Sequence, residues 1–268
     1  MGPGDRGTAA AQETASEAGT GPRKIRDNLF LLEEAYNQEP GVIQHIQAFR
    51  FDPSAEFGWS YSFTDEWPAP TDVHQFSVTL PMGGTAEPGE FALGDVLLNY
   101  RVQALGQGGE GWLALAPRLS VVFPTGDWER GAGRGVVGVQ LNLPVSIDLG
   151  PWFSLHVNGG MTVSPSALSP AGRRATTIDA NAGIALIWLP LAWFNVLVET
   201  AYVSTEAVLD AGGTARDDIL LVNPGVRFAI DVAGGLQIVP GLSAPVETWP
   251  RGGRTSLLAY LSLEHPAW

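Results

Sequence analysis

The chain contains no cysteine. That excludes disulfides, thiolate metal sites and cysteine nucleophiles, and it is compatible with an oxidising compartment. Lysine is nearly absent too, occurring once at Lys24, and only 16% of the 268 residues are charged, against about 25% in an average soluble domain. Basic surface is therefore scarce. With a formal charge of −13, binding to a phosphate backbone is not expected, and nucleic acid is set aside as a partner. Long apolar runs are missing as well. Ile184 to Phe194 is interrupted by Pro190 and is too short for a membrane-spanning helix. Residues 1–28 are small, polar and glycine-rich, without the apolar core of a signal peptide, and are expected to form a disordered leader.

What the chain has is alternation. From Val137 to Leu149 every odd position is apolar, while Gln140, Asn142, Ser146 and Asp148 lie between them. After the turn-like Asp148-Leu149-Gly150-Pro151, Phe153, Leu155, Val157, Met161 and Val163 alternate with Ser154, His156 and Asn158. A period of two is a β-strand with one apolar face. The pattern recurs in "EFGWSYSF", "VHQFSVTL", "DVLLNYRVQA", "WLALAPRLSVVF", "TIDANAGIALIW", "WFNVLVETAY" and "LLVNPGVRFAI". With weaker runs at "VIQHIQAFRF", "LQIVPGLS" and "TSLLAYLSL", it predicts about twelve strands of roughly nine to twelve residues.

The polar faces carry Ser, Asn, Gln, Thr and Gly rather than the Lys, Glu and Asp of a solvated sheet. Strands of this length cross a tilted bilayer core. Trp59, Trp112, Trp152, Trp188, Trp193 and Trp268 fall near strand ends, where interfacial girdles belong. Short uncharged connections ("DLGP", "LPL", "DVAGG") alternate with longer charged ones ("PTGDWERGAGRG", "STEAVLDAGGTARDD"), as on the two rims of an outer-membrane barrel. The expected fold is all-β: a transmembrane up-and-down antiparallel barrel of about twelve strands over residues 42–268. Its apolar face meets lipid and its polar face lines the inside. Pro117, Pro144, Pro224 and Pro240 interrupt predicted strands and are expected at bulges or near a rim. Residues 29–41 precede the barrel either as a short helix resting on the rim or as a plug.

"EEAYNQEPGVIQHIQAF", "GDVLLNYR", "LAPRLSVVFPTGDW" and "LAYLSLEHPAW" resemble the bacterial outer-membrane transporter-like proteins of the phenol-degradation (meta-pathway) family, from about residue 30 to the C-terminus. The resemblance implies a location in the bacterial outer membrane and passive passage of small, apolar or aromatic solutes. The terminal Trp268 resembles the signal read by the outer-membrane assembly machinery. Expected partners are thus outer-membrane lipid, a small-molecule solute and that machinery, with no cofactor.

Inward parity assigns Arg101, Arg118, Asp148, His156, Asn158, Asp179, Asn181, Glu199, Asn223 and Arg227 to the lumen. There they either set selectivity, as rings of charge do in pores, or pair with one another and fill a narrow barrel. A sealed barrel with a structural or surface role and, more remotely, a soluble barrel for apolar ligands are the alternatives. Ser154, His156 and Asn158 share residue types with outer-membrane phospholipases, but they lie on one strand and point inward. An enzyme is not expected. His45, His74 and His265 are scattered, with no carboxylate at ligand spacing, and no metal site is expected.

Overall fold

The computed structural model describes residues 25–27, 29–53, 58–84, 90–106 and 111–267. Twelve antiparallel strands run in chain order. They are β1 (Val42–Asp52), β2 (Gly58–Pro68), β3 (His74–Gly84), β4 (Phe91–Leu93 and Val96–Val102), β5 (Leu113–Leu115 and Arg118–Phe123) and β6 (Gly138–Asn142 and Val145–Asp148). Then follow β7 (Phe153–Leu168), β8 (Arg174–Leu191), β9 (Phe194–Val208), β10 (Thr214–Phe228 and Ile230–Val232), β11 (Leu236–Ser243 and Val246–Trp249) and β12 (Arg254–Thr255 and Leu257–Pro266). Each strand pairs with the next, and β12 returns to β1 in unbroken register from Val42↔Pro266 to Phe51↔Leu257. The sheet closes on itself, which removes its edges. Among the described residues no α-helix occurs, and a 3-10 turn spans Trp128–Arg130.

The alternation resolves as the sequence predicts. Leu119, Val139, Leu141, Val157, Ile184, Leu186, Val198 and Leu242 are exposed on the outer wall. Ser120, Asn142, Ser154, Asn158, Asn195 and Asn223 are buried on the inner one. Exposed Trp112, Trp152, Trp188 and Trp193 gather at the rim where β1 begins, here the near rim. Trp249, Phe49, Phe51 and Phe91 mark the far end of the apolar belt. On β8 the belt runs from Ile178 to Trp188, the length that spans a bilayer core. Trp268 lies outside the described residues.

Two expectations need correction. Strand lengths are uneven: β7 to β10 run 15 to 18 residues, beyond the nine to twelve predicted. Much of what reads as long charged connection is strand that continues past the apolar belt. There the ladder carries ion pairs and polar contacts, such as Arg216 with Glu206 at 3.0 Å and Tyr202 donating to Asp218 at 3.0 Å, which water rather than lipid can surround. The prolines also divide. Pro117 and Pro144 occupy the breaks in β5 and β6, and their carbonyls accept from Val102 and Ala116. Pro224 and Pro240 instead lie within paired ladders, opposite Val198 and Leu261. A residue's N and C=O point to the same side of a strand. The Pro224 carbonyl accepts from Ala244 in the β11 interruption, so its missing donor faces a place where the ladder is already broken.

Candidate functional site: a lumen occupied by the chain's own N-terminal segment

Residues 29–41 form no helix; they run as bends and extended chain inside the barrel. Ile25, Leu29, Phe30, Leu32 and Ala35 are buried, so Ile25, Arg26 and Asp27, at the end of the stretch read as leader, already lie against the wall. An extended segment has unpaired backbone groups, and burying them requires partners. The inner wall supplies these from side chains. Glu199 Oε1 accepts the successive N–H groups of Phe30, Leu31 and Leu32 at 3.2, 3.0 and 3.2 Å, while Asn223 donates to Oε2 at 2.7 Å. Three converging amides make an anion-binding nest, here filled by a wall carboxylate. Gln103 behaves like a peptide group of a neighbouring strand, accepting from Asn37 N–H at 2.8 Å and donating to the Ala35 carbonyl at 2.7 Å. Gln75 accepts from Gln38 N–H at 2.7 Å.

The arginines bind the same segment. Arg101 donates to Asn37 Oδ1 at 2.9 Å and to the Tyr36 and Glu34 carbonyls at 2.5 and 3.3 Å. Arg118 reaches Glu33 at 2.7 Å and also Gln140 and Asn99. Arg227, fully buried, donates to Asn195 Oδ1 at 3.1 Å and to the Asp27 carbonyl. Asp148 pairs with Arg26. Asn181 donates to Asn158 at 3.1 Å. Of the residues assigned to the lumen by parity, only Asp179 lies elsewhere, at the far mouth. There it accepts both Arg134 Nη2 at 2.9–3.1 Å and the Glu206 amide at 2.7 Å. Arg134 belongs to the β5–β6 connection, whose Gly126 and Arg134 amides are held by Asp95 at 2.9 and 2.7 Å. This connection folds inward and meets Leu168 of β7.

His156 is held between two serine hydroxyls. Its Nδ1 lies 2.8 Å from Ser146 Oγ and its Nε2 lies 3.0 Å from Ser154 Oγ, and the ring is fully buried. Ser146 Oγ also accepts the Ala35 amide at 2.8 Å. Asn158 is engaged by Asn181 rather than by His156. The ring bridges two hydroxyls, and among the described residues no carboxylate is hydrogen-bonded to it.

The inner face also has an apolar quarter that parity misses. Inward-facing Ala185, Ile187 and Leu189 on β8, Leu197 and Ala201 on β9, and Leu258 and Tyr260 on β12 pack around Leu29, Phe30 and Leu32. Gly183, Gly225 and Gly241 make the hollows: a Cβ on Gly225 or Gly241 would stand 2.4–2.6 Å from the Phe30 ring, and one on Gly183 2.5 Å from Leu32. Phe30 meets Tyr260 edge-on at 5.5 Å, with the Arg227 guanidinium 6.0 Å from its centroid. The available signal is that β8 reads apolar on both faces in "IALIWLPL". Below the segment, a cavity of about 630 Å³ opens at the near rim between Tyr36, Gln38, Asp72, Gln103, Gln237 and Glu264. Among the described residues, no group of three or more His, Asp or Glu side chains is set to hold a metal ion.

A closed twelve-strand barrel with an apolar outer belt, aromatic rims and a polar interior is a transmembrane barrel of the outer-membrane type. Solved structures of similar architecture include channels. An outer membrane channel from Pseudomonas putida F1 superposes with a TM-score of 0.62 over 86% of this chain and 97% of that one, at 11% identity. The KdgM porin superposes with a TM-score of 0.50 over 83% and 98%, at 6% identity. No family model matches the chain, and no curated protein matches it either. What is shared is therefore the outer-membrane channel fold, and the resemblance to the meta-pathway family rests on the motifs quoted above.

Proposed function

We propose that the protein is an outer-membrane channel for small aromatic or apolar solutes, held closed at rest by residues 25–41. The observation that carries this reading is the seat of Phe30. Two glycine hollows, the Tyr260 edge and the Arg227 cation form a phenyl-sized site on the lumen wall, and the chain's own ring fills it. A phenolic or benzoic solute offers the same ring to the same surroundings. The short turns at 149–152, 192–193 and 233–235 support an orientation with the near rim, and the segment's point of entry, on the periplasmic side.

The first experiment is single-channel conductance of the refolded full-length chain in a planar bilayer, beside a variant with residues 25–38 deleted. The deletion is expected to convert a nearly silent barrel into one with discrete steps, and phenol-sized solutes are expected to block those steps. A deletion variant that is folded yet silent would favour the sealed-barrel reading, which the density of wall-to-segment hydrogen bonds also supports. Steps without any preference for aromatic blockers over sugars of equal size would remove the solute assignment alone. In the open variant, Arg118→Ala should shift the reversal potential towards cations, since it deletes a positive charge from the inner wall. An unchanged potential removes Arg118 from the conducting path.

A further inference from the structure

Arg101 on β4 and Arg118 on β5 stand directly opposite each other in the ladder, on its inner face. Like charges in that position destabilise a sheet unless anions accompany them. Three carboxylates do so here. Glu66 of β2 belongs to the wall and acts on both guanidiniums. Glu33, 2.7 Å from Arg118, and Glu34, 4.0 Å from Arg101, belong to the segment. Arg101 also donates to Asn37 and to the Glu34 and Tyr36 carbonyls, all of them on the segment. Without the segment, this part of the wall keeps two guanidiniums and one carboxylate.

The segment's own anion fits this place incompletely. Asn99 and Gln140, from the strands on either side, fix the Arg118 guanidinium at 3.2 and 2.6 Å. Glu33 Oε1 meets Nη2, while Arg118 Nε and Glu33 Oε2 are buried without a hydrogen-bond partner. Nε–H and Nη2–H share one edge of the guanidinium plane, so these two atoms are the unmade half of a bidentate pair. Glu33 is not free to turn and complete it. The segment is pinned on both sides of it, at Leu32 by Glu199 and at Ala35 by Ser146. The Ser120 hydroxyl, buried two residues along the same face, also lacks a partner. Asn142, directly across from Arg118, turns its amide oxygen the other way, towards Gly160 of β7.

We propose that Arg101 and Arg118 form a carboxylate-binding station on the lumen wall, and that the solutes are aromatic carboxylates of the benzoate class rather than phenols or hydrocarbons. For its occupant this rests on the channel reading above. Phe30 fills a ring site and Glu33, three residues on, a guanidinium site. An aryl carboxylate carries both groups in one molecule and meets the two sites in turn. Its carboxylate is not tethered as Glu33 is, and can approach Arg118 edge-on to close both hydrogen bonds. The Arg118 and Glu33 side chains are 15% and 29% exposed, which gives an incoming anion access from the lumen.

The test is isothermal titration of benzoate, and of benzamide as its uncharged isostere, into the full-length protein folded in nonionic detergent. Glu33→Ala vacates the station. Benzoate is expected to bind that variant about tenfold more tightly than it binds the wild type, and about tenfold more tightly than benzamide does. Adding Arg118→Gln should bring benzoate back to the benzamide level. Heat-modifiable gel mobility reports which variants are folded. Where Glu33→Ala does not fold, the wild type decides: benzoate, and not benzamide, should hasten protease cleavage within residues 25–41 as it displaces Glu33. Equal affinities for the two isosteres in folded Glu33→Ala, benzoate binding that survives Arg118→Gln, or, in that second case, cleavage indifferent to benzoate overturns the station. Titration reads binding without conductance, so a silent barrel that still selects benzoate keeps the station and removes the channel reading alone.

Discussion

The two ends of the lumen are closed in different ways. In the near half, the segment from Ile25 to Gln38 is gripped along its backbone by buried side chains: Glu199 on three amides, Gln103 on both sides of a peptide, Arg101 and Arg227 on carbonyls. At the far mouth, the β5–β6 connection hangs on two carboxylates, Asp95 and Asp179. The Arg134–Asp179 pair retains about a quarter of each side chain in contact with solvent. A buried carboxylate that loses its partners pays a full desolvation cost, whereas a solvated ion pair is worth little either way. In the channel proposed above, the near closure would then act as a latch and the far one as a screen.

The sharpest way to break that contrast is Glu199→Ala. It strips the acceptor from three segment amides and from Asn223, at a cost of about 3–5 kcal/mol by analogy with other broken buried charge networks. Conductance steps and proteolytic cleavage within residues 25–41 should both appear; a variant that stays silent and protected would show that the latch lies elsewhere. Phe30→Ala comes next, near the lower end of the range for a buried aromatic at about 3 kcal/mol. It should open the barrel intermittently and let added phenol slow the current. At the far mouth, Arg134→Ala should cost no more than about 1 kcal/mol. Noise in the open state of a latch-free variant should increase while heat-modifiability stays where it was.

The smallest effect lies beyond the belt. Hydrogen bonds from Ser169 and then from the Ala171 amide hold the Asp210 carboxyl below the ordinary carboxylate range. A depressed folded-state value contributes order above the unfolded pKa of about 3.9 and loses it as pH falls through the folded one. Amide exchange at Ala171, referenced to Asp210→Asn, should lose its protection only in that acid window. Protection that is equal in both proteins at neutral pH would remove the contact from solution.

Strand number, direction and facing were readable because each depends on local alternation, and the bilayer imposes that alternation on every outward residue. Arg101, Glu199 and Arg227 were readable as inward-facing for the same reason. What they hold was not, because Glu199 meets Leu31 across 168 positions of chain and nothing in either stretch names the other. The segment disguised itself further by supplying backbone rather than side chains to most of its contacts. Its clearest trace is negative: β8 stops alternating between Ala185 and Leu189, where its inner face abandons polarity to receive Phe30 and Leu32. Strand lengths misled because polar residues that continue a hairpin above the membrane look like a loop. His45 and His265 stand side by side only because the ring closes between the first strand and the last.

The closing pair β1–β12 also carries a kinetic consequence. Its register joins Ile43 to His265, so the most distant parts of the chain must find each other before the ring exists. Loop-closure entropy is spent ahead of any reward from such contacts, and folding slows accordingly. Until β12 docks, β1 is a bare template for a neighbouring chain. The segment ahead of β1 has an open-sided trough to settle into during that interval. Once the last strand arrives, that side entrance is gone, and only the mouth at the near rim remains for later exchange.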